Sequence, residues 1–442
     1  MHRTIKCLVA ALLAVSLCWA AGALAESLNY TYYTQLPAAQ APSMSVTLPI
    51  PAENPVQEGV NPLTGEVWYG TYHPIMVNID THPDGWPHWG VSSADITYEL
   101  PLQSDGSTRS VALFMGNIPA WAGPVRSGRV PMASLREIWG GPWVFYGWQN
   151  KADANSSTPD LVVDVDDWAN HFHQGSNAGN SWHYPYIEGI GTYQGQFNRV
   201  NDKNHVSPHN VQADLKAIEA LIPGSITPHP FKFTETGLEY GIDVNHILIE
   251  HKTTKPAYIS EYYYNDLTGQ YDRYRNGEVD TDALNNMSLS YSNVIILRTN
   301  VSWYLNNPSR PVIQLVGQGV AEIFQNGKYI RGYWARASKQ GNADQLNAAD
   351  LASRMIFYDD QGNELALKKG KTFIQIESID QPVVVTSVQQ INGGIAQATP
   401  QPTATPAPTR TPRPTRTPKA GAATPAPVEQ VEDGDQEFTF GI

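Results

Sequence analysis

Residues 74–100 read PIMVNIDTHPDGWPHWGVSSADITYEL. Two short apolar runs, Ile75 to Ile79 and Ile96 to Leu100, flank His82-Pro83-Asp84-Gly85-Trp86-Pro87, whose prolines and glycine must turn the chain. Strand, turn and strand open a sheet rather than a helical bundle. Ser110 to Met115, preceded by Arg109 and the turn Asp105-Gly106-Ser107, adds a third strand. Pro131 then starts a different rhythm, in which Met132, Leu135, Ile138 and Trp139 recur near 3.6 residues and share one face of a helix. Trp143 to Tyr146 and Leu161 to Val165 return to strand composition. The mixture implies an α+β unit, one sheet covered by a few helices.

Further along, Ser207 is read as the cap of a helix beginning at Pro208, with Val211, Leu215, Ile218 and Ile222 on one face and Pro223-Gly224 as its stop. The later chain is richer in strands: His246 to Glu250, Tyr258 to Tyr264, Asn293 to Arg298, Val312 to Val316, Val320 to Phe324 and Phe373 to Ile376. Turn chemistry separates them at Asn265 to Gly269, Asn276-Gly277, Asn326-Gly327 and Asp359 to Gly362. The expected fold class is therefore α+β in two domains, a mixed N-terminal unit over 56–215 and a predominantly β unit over 225–385. No repeat of fixed period joins them.

The ends differ in kind. Arg3 and Lys6 precede an apolar run from Leu8 to Trp19 and the small-residue stretch Ala20 to Ala25, so 1–25 read as a secretory signal peptide cut before Glu26. The run is short for a hydrocarbon core of roughly 30 Å, so no transmembrane helix is expected in the mature chain. Cys7 and Cys18, the only cysteines, lie inside residues 1–25. Leu17 stands where a lipid-anchored cysteine needs a small predecessor, so release is expected and anchoring at Cys18 is the lesser alternative. Residues 26–55, poor in charge and broken by proline, read as a flexible leader. Residues 395–442 read as a Thr/Pro-rich disordered tail with an acidic end.

The formal charge is -13, from 29 basic and 42 acidic side chains. Without a segregated basic block that balance argues against nucleic acid as a partner. A mature chain without cysteine has no thiolate nucleophile, iron–sulfur site or cysteine metal ligand.

Gly123-Pro124-Val125-Arg126-Ser127-Gly128-Arg129, just before the Pro131 helix, offers guanidinium donors for carboxylate or phosphate. With Arg109, and Arg136 as a further candidate, it forms either an anion pocket or an internal network with Asp80, Glu99 or Asp105. Asp80, His82, Asp84 and His88, with Asp95 and Glu99 downstream, carry the groups for proton exchange or a divalent metal, and equally for turn capping. Asp164, Asp166, Asp167, His171 and His173 have the atoms of a metal site without the regularity of a calcium loop. His183, His205 and His209 are further proton-transfer candidates, His209 foremost because it is read at a helix start. The many tryptophans and tyrosines suit a core or the stacking of sugar rings. Cofactor and metal stay unassigned.

Several pieces in order resemble the YerB-like family of exported bacterial proteins with DUF3048 N- and C-terminal domains. These are Asn61 to Gly65, Pro74 to Asp80 with His82-Pro83, Ala94 to Glu99, Gly123 to Arg129, Pro208-His209-Asn210, Tyr271 to Asp282, Gly319 to Gly327, Gly332-Tyr333-Trp334 and Phe357 to Thr372. The resemblance implies a two-part architecture and an extracytoplasmic location, and it supplies no reaction. Gly128 stands where the family pattern has alanine, a change expected to preserve space and loosen the turn.

The expectation is an exported cell-envelope accessory or binding protein in which Arg109, Arg126, Ser127, Arg129 and Asn210 hold an anionic ligand, a wall glycopeptide fragment being one that fits. The alternative is a metal-assisted or acid/base hydrolase using Asp80, His82, Glu99 and His209. Convergence of those four beside the arginines would favour the enzyme, and dispersal would favour binding or structure. A third possibility is an interaction module whose arginines are consumed by buried carboxylates.

Overall fold

Every residue of Ile75–Ile79, Thr108–Phe114 and Asn293–Thr299 is buried in the computed structural model, so these strands have no solvent face. Near-continuous apolar runs of this kind belong at the centre of a sheet covered on both sides. Successive side chains point to opposite faces: Ile75, Val77 and Ile79 join one core, and Met76 joins the other. The structure describes residues 28–38, 48–149, 165, 168–169, 186–222, 226–254, 257–304, 307–337 and 352–391.

The main sheet has eleven strands, in the order Ile242–Asp243, Lys328–Arg336, Gly317–Gln325, Asn293–Thr299, Thr372–Ser378, Ile96–Pro101, Thr108–Phe114, Ile75–Ile79, Trp143–Phe145 and Tyr186–Glu188, with Ile356–Tyr358 attached to Lys328–Arg336. Its seam joins distant parts of the chain: Thr372–Ser378 runs parallel to Ile96–Pro101, with Thr372 opposite Ile96 and Gln375 opposite Glu99. One face carries the helix Val130–Trp139, which has Pro131 in its first turn and ends at Gly140 in the left-handed conformation, φ 70°. Met132, Leu135, Ile138 and Trp139 all enter that core, as their spacing predicts. Each contributes about 1.5–3 kcal/mol by burial.

The other face meets a seven-stranded sheet containing Leu28–Gln35, Val384–Ile391, His246–Lys252, Tyr258–Asn265 and Gln270–Arg275. Ile247, Ile249, Tyr262, Tyr271 and Val385 fill the space between the sheets. Part of the segment read as a leader is thus a strand, Leu28–Gln35, paired antiparallel with Val384–Ile391. Its alternating Tyr/Thr composition suits pairing, which the count of charges and prolines overlooked.

Strands dominate, and the helices given in full beyond one turn of 3-10 geometry are Val130–Trp139 and the short Leu215–Glu219, with Val165, Trp168 and Ala169 also helical. The chain is mostly β, a correction to the expected helical cover. The helix expected from Pro208 is also corrected: Val211–Asp214 is a strand between Trp121–Ala122 and Phe197–Arg199, and Asp214, not Ser207, caps the helix that follows, accepting from the Ala217 amide at 2.9 Å. Val211 and Leu215 fit a helical face with Ile218 and Ile222, and with Ala213 between them they also follow a period of two, so pairing on both sides decides between the two readings. Of Leu161 to Val165, read as a strand, only Val165 is described, and it is helical; residues 1–25 and 395–442 lie wholly outside the described residues.

Candidate functional site

Asp80 follows directly on the Ile75–Ile79 strand, and its amide donates to the Pro124 carbonyl at 2.8 Å. The residue is 1% exposed. Its Oδ2 accepts from His209 Nδ1 at 2.6 Å and lies 3.3 Å from Arg126 Nε. Its Oδ1 accepts from the His82 amide at 3.1 Å and lies 3.8 Å from an Arg109 terminal nitrogen. Burial alone would raise this carboxyl's pKa, but the His209 hydrogen bond and the Arg109 and Arg126 charges hold it well below the carboxylate range. Asp80 is therefore a fixed anion that accepts hydrogen bonds from His209 and the His82 amide and faces the charges of Arg109 and Arg126.

His82 stacks on His209 with ring centroids 4.0 Å apart and planes 13° from parallel. Burial, then the neighbouring His209 imidazole, lowers its basicity. Its Nδ1 accepts from the Asp84 amide at 3.2 Å. His82, Asp84 and His209 place one potential metal-ligand atom each within 4.8 Å of one another. The stack argues against one ion shared by both rings as they stand. A metal about 2 Å from a nitrogen and in the plane of one ring lies far out of the plane of a parallel ring 4.0 Å away. Binding there requires His82 to turn off His209.

A small sheet sets the rest of the site. Val211–Asp214 is its middle strand, with Ala122 and Phe197 both opposite Ala213. The Val125 amide donates to the Val211 carbonyl at 2.6 Å, and the Val200 amide to the Asn210 carbonyl at 2.8 Å. At one end of this sheet, Arg126 therefore lies on one side of His209-Asn210 and Arg199 on the other. Arg199 escaped the sequence reading because it sits outside every motif. Its guanidinium lies 5.3 Å from the Tyr146 ring centroid and donates to Asn210 Oδ1 at 2.9 Å. Tyr146 in turn donates its amide to the Arg126 carbonyl at 3.2 Å.

The loop carrying His82 is braced from the later half of the chain. Trp86 Nε1 donates to Asp280 at 2.8 Å, and Asp282 accepts from the amides of Gly90 and Ser92 and from the Ser92 hydroxyl at 2.9, 2.8 and 2.6 Å. His205 ties the same loop to the His209 segment through Asp202 at 2.8 Å and the Pro87 carbonyl at 2.9 Å, beneath Trp89.

Asp80, His82, His209, Arg109 and Arg126 thus converge, and the other candidates go elsewhere. Glu99 is fully buried among Tyr258, Arg273 and Ser110, at 2.6, 2.9 and 3.2 Å. Burial opposes its charge, but Arg273 and His251 bring its pKa down to about 2. It pins the two sheets together, so its place in an acid/base group is corrected. Arg109 is 4% exposed and acts as a support for Asp80 and the Ser127 carbonyl rather than as a ligand contact. Ser127 offers that carbonyl to Arg109 and Asn78. Arg129, buried at the start of the helix, donates to the Gly128 carbonyl at 3.1 Å. Asn210 is buried between Arg199 and Val200. Arg136 is fully buried and donates to the Gly141 carbonyl. Asp164, Asp166, Asp167, His171, His173 and His183 lie outside the described residues.

Gly128 is more than a neutral exchange for alanine. A Cβ there would sit 2.9 Å from the Trp143 ring.

The chain matches two family models, the N-terminal domain of a protein of unknown function, DUF3048, over residues 63–227 and its C-terminal domain over 249–374. It is 23% identical over 322 residues to a Bacillus subtilis (strain 168) protein named "Putative lipoprotein YerB", covering 71% of this chain and 85% of the relative. The crystal structure of the YerB protein from Bacillus subtilis superposes with a TM-score of 0.55 at 23% identity, over 75% of this chain and 99% of that one. That likeness shows the fold. The relative's name gives no support to ranking lipid anchoring below release, and Cys18 lies outside the described residues. Among the described residues no helix is long and apolar enough to cross a membrane.

Proposed function

The chain belongs to the DUF3048 family, and on that footing we propose that it is an exported cell-envelope accessory protein that binds an anionic group at the Asp80 cluster. The observation that supports this is the sharing of one carboxylate oxygen, Asp80 Oδ2, by Arg126 Nε and His209 Nδ1. A buried carboxylate that grips the inner atoms of a guanidinium and an imidazole presents their outer atoms side by side. His82, whose side chain is 42% exposed, and Arg126, 14% exposed, open that arrangement to the surface. Phosphate and carboxylate suit such a fork. A wall glycopeptide carries carboxylates and fits the compartment. The N-terminal segment 56–215 supplies the contacts, and the segment 225–385 braces them through Asp280 and Asp282.

The 2.6 Å bond from His209 to Asp80 also favours a second reading, an acid/base hydrolase. A carboxylate on Nδ1 fixes the tautomer and leaves Nε2 to accept a proton from water.

Calorimetric titration of the full chain with inorganic phosphate and with a wall glycopeptide tests both. Saturable binding without product release supports the receptor. Glycopeptide cleavage abolished in His209→Gln supports the hydrolase, and no binding of either ligand sinks the anion site.

A further inference from the structure

The small sheet separates two cations by a strand. Arg199 ends the Phe197–Arg199 strand opposite Val211, and the Asn210 carbonyl accepts from the next amide, Val200. Arg126 follows the Trp121–Ala122 strand on the other side of Val211–Asp214, one residue after Val125, whose amide bonds to Val211. Neighbouring strands lie about 4.8 Å apart, so two strands flanking a third place these backbones about 10 Å apart. Between them lie His209 and Asn210. Arg199 is exposed, and its side chain is held rather than loose: Asn210 Oδ1 and the Ser207 hydroxyl accept from it, and Tyr146 lies under it. A cation held in place at a rim loses less rotamer entropy on meeting an anion than one that is free.

We propose that Arg199 and the Arg126–His209 pair form a two-point site for a linear phosphate-bearing polyanion laid across the end of the small sheet. This rests on the reading of the Asp80 cluster as an anion site and adds the ligand's class. A lone phosphate occupies the inner point, while a chain of phosphates reaches both. With a net charge of -13 the protein has no general attraction for polyanions, so binding must be local.

The test is titration of the full chain with inorganic phosphate and with long-chain inorganic polyphosphate at fixed ionic strength. Polyphosphate is expected to bind at least tenfold more tightly. Arg199→Gln retains an amide donor for Asn210 and removes the charge. It should abolish that advantage and change phosphate affinity less than twofold, and Arg199→Lys should restore part of it. Equal affinity for the two ligands, or an unchanged polyphosphate affinity in Arg199→Gln, overturns the two-point site and leaves the inner site standing. Failure of the wild-type chain to bind phosphate at all removes the inner site.

Discussion

His209 reaches Asp80 across 129 residues of sequence to make a 2.6 Å hydrogen bond to the oxygen that Arg126 also approaches. Asp80→Asn keeps the shape and removes the charge that faces His209, Arg109 and Arg126. Breaking a buried ion pair by removing one partner costs about 3–5 kcal/mol because the other charges stay buried. Urea denaturation should show a loss of that order. A variant as stable as the parent would mean that the arginines have sufficient partners elsewhere.

Acid should unfold this protein from mildly acidic pH downward. His88 is buried, and burial, then Arg275 and Arg273, lower its pKa to about 3. An unfolded histidine takes a proton near pH 6.5. The unfolded chain therefore binds a proton that the folded chain refuses, and stability falls as pH drops from about 6.5 toward 3. Glu99, held down at about 2, adds a second loss between its unfolded value and that point. Denaturation midpoints measured from pH 7 to 3 should fall, and His88→Gln should flatten the upper part of the curve. A flat profile would contradict the neutral burial of His88.

Gly128→Ala restores the residue of the family pattern but presses a methyl to 2.9 Å from Trp143. Overpacking of this kind costs about 1–3 kcal/mol. Thermal denaturation should show the variant destabilised, and an unchanged midpoint would show that the Trp143 ring moves aside without cost.

Asp282→Ala removes the acceptor for the Gly90 and Ser92 amides and the Ser92 hydroxyl. Those amides should exchange with solvent at least tenfold faster, and phosphate should bind more weakly although Asp282 touches none of the proposed contacts. Unchanged exchange would show that other bonds, such as the one from Ala283 to the His88 carbonyl, hold the loop.

Much of this was legible before the structure. The buried strands and the Val130–Trp139 helix follow from periodicity, and the pairing of Asp80 with the arginines was one of two readings left open. What escaped depends on contacts between remote segments. Val211 to Leu215 carry both periods, and two neighbouring strands chose the extended one. Glu99 looked like a companion to Asp80, but a strand alternates its faces and Arg273, from 174 residues away, claimed it. Arg199 has no motif around it, and its relation to Arg126 exists only through the strand between them.

The most direct measurement is a phosphate titration followed by the imidazole resonances of the full chain. The account predicts that the His209 and His82 rings shift together with one saturating affinity, and that Arg126→Gln weakens that affinity at least tenfold. Saturable phosphate binding that leaves both rings unmoved, or that survives Arg126→Gln unchanged, would contradict it.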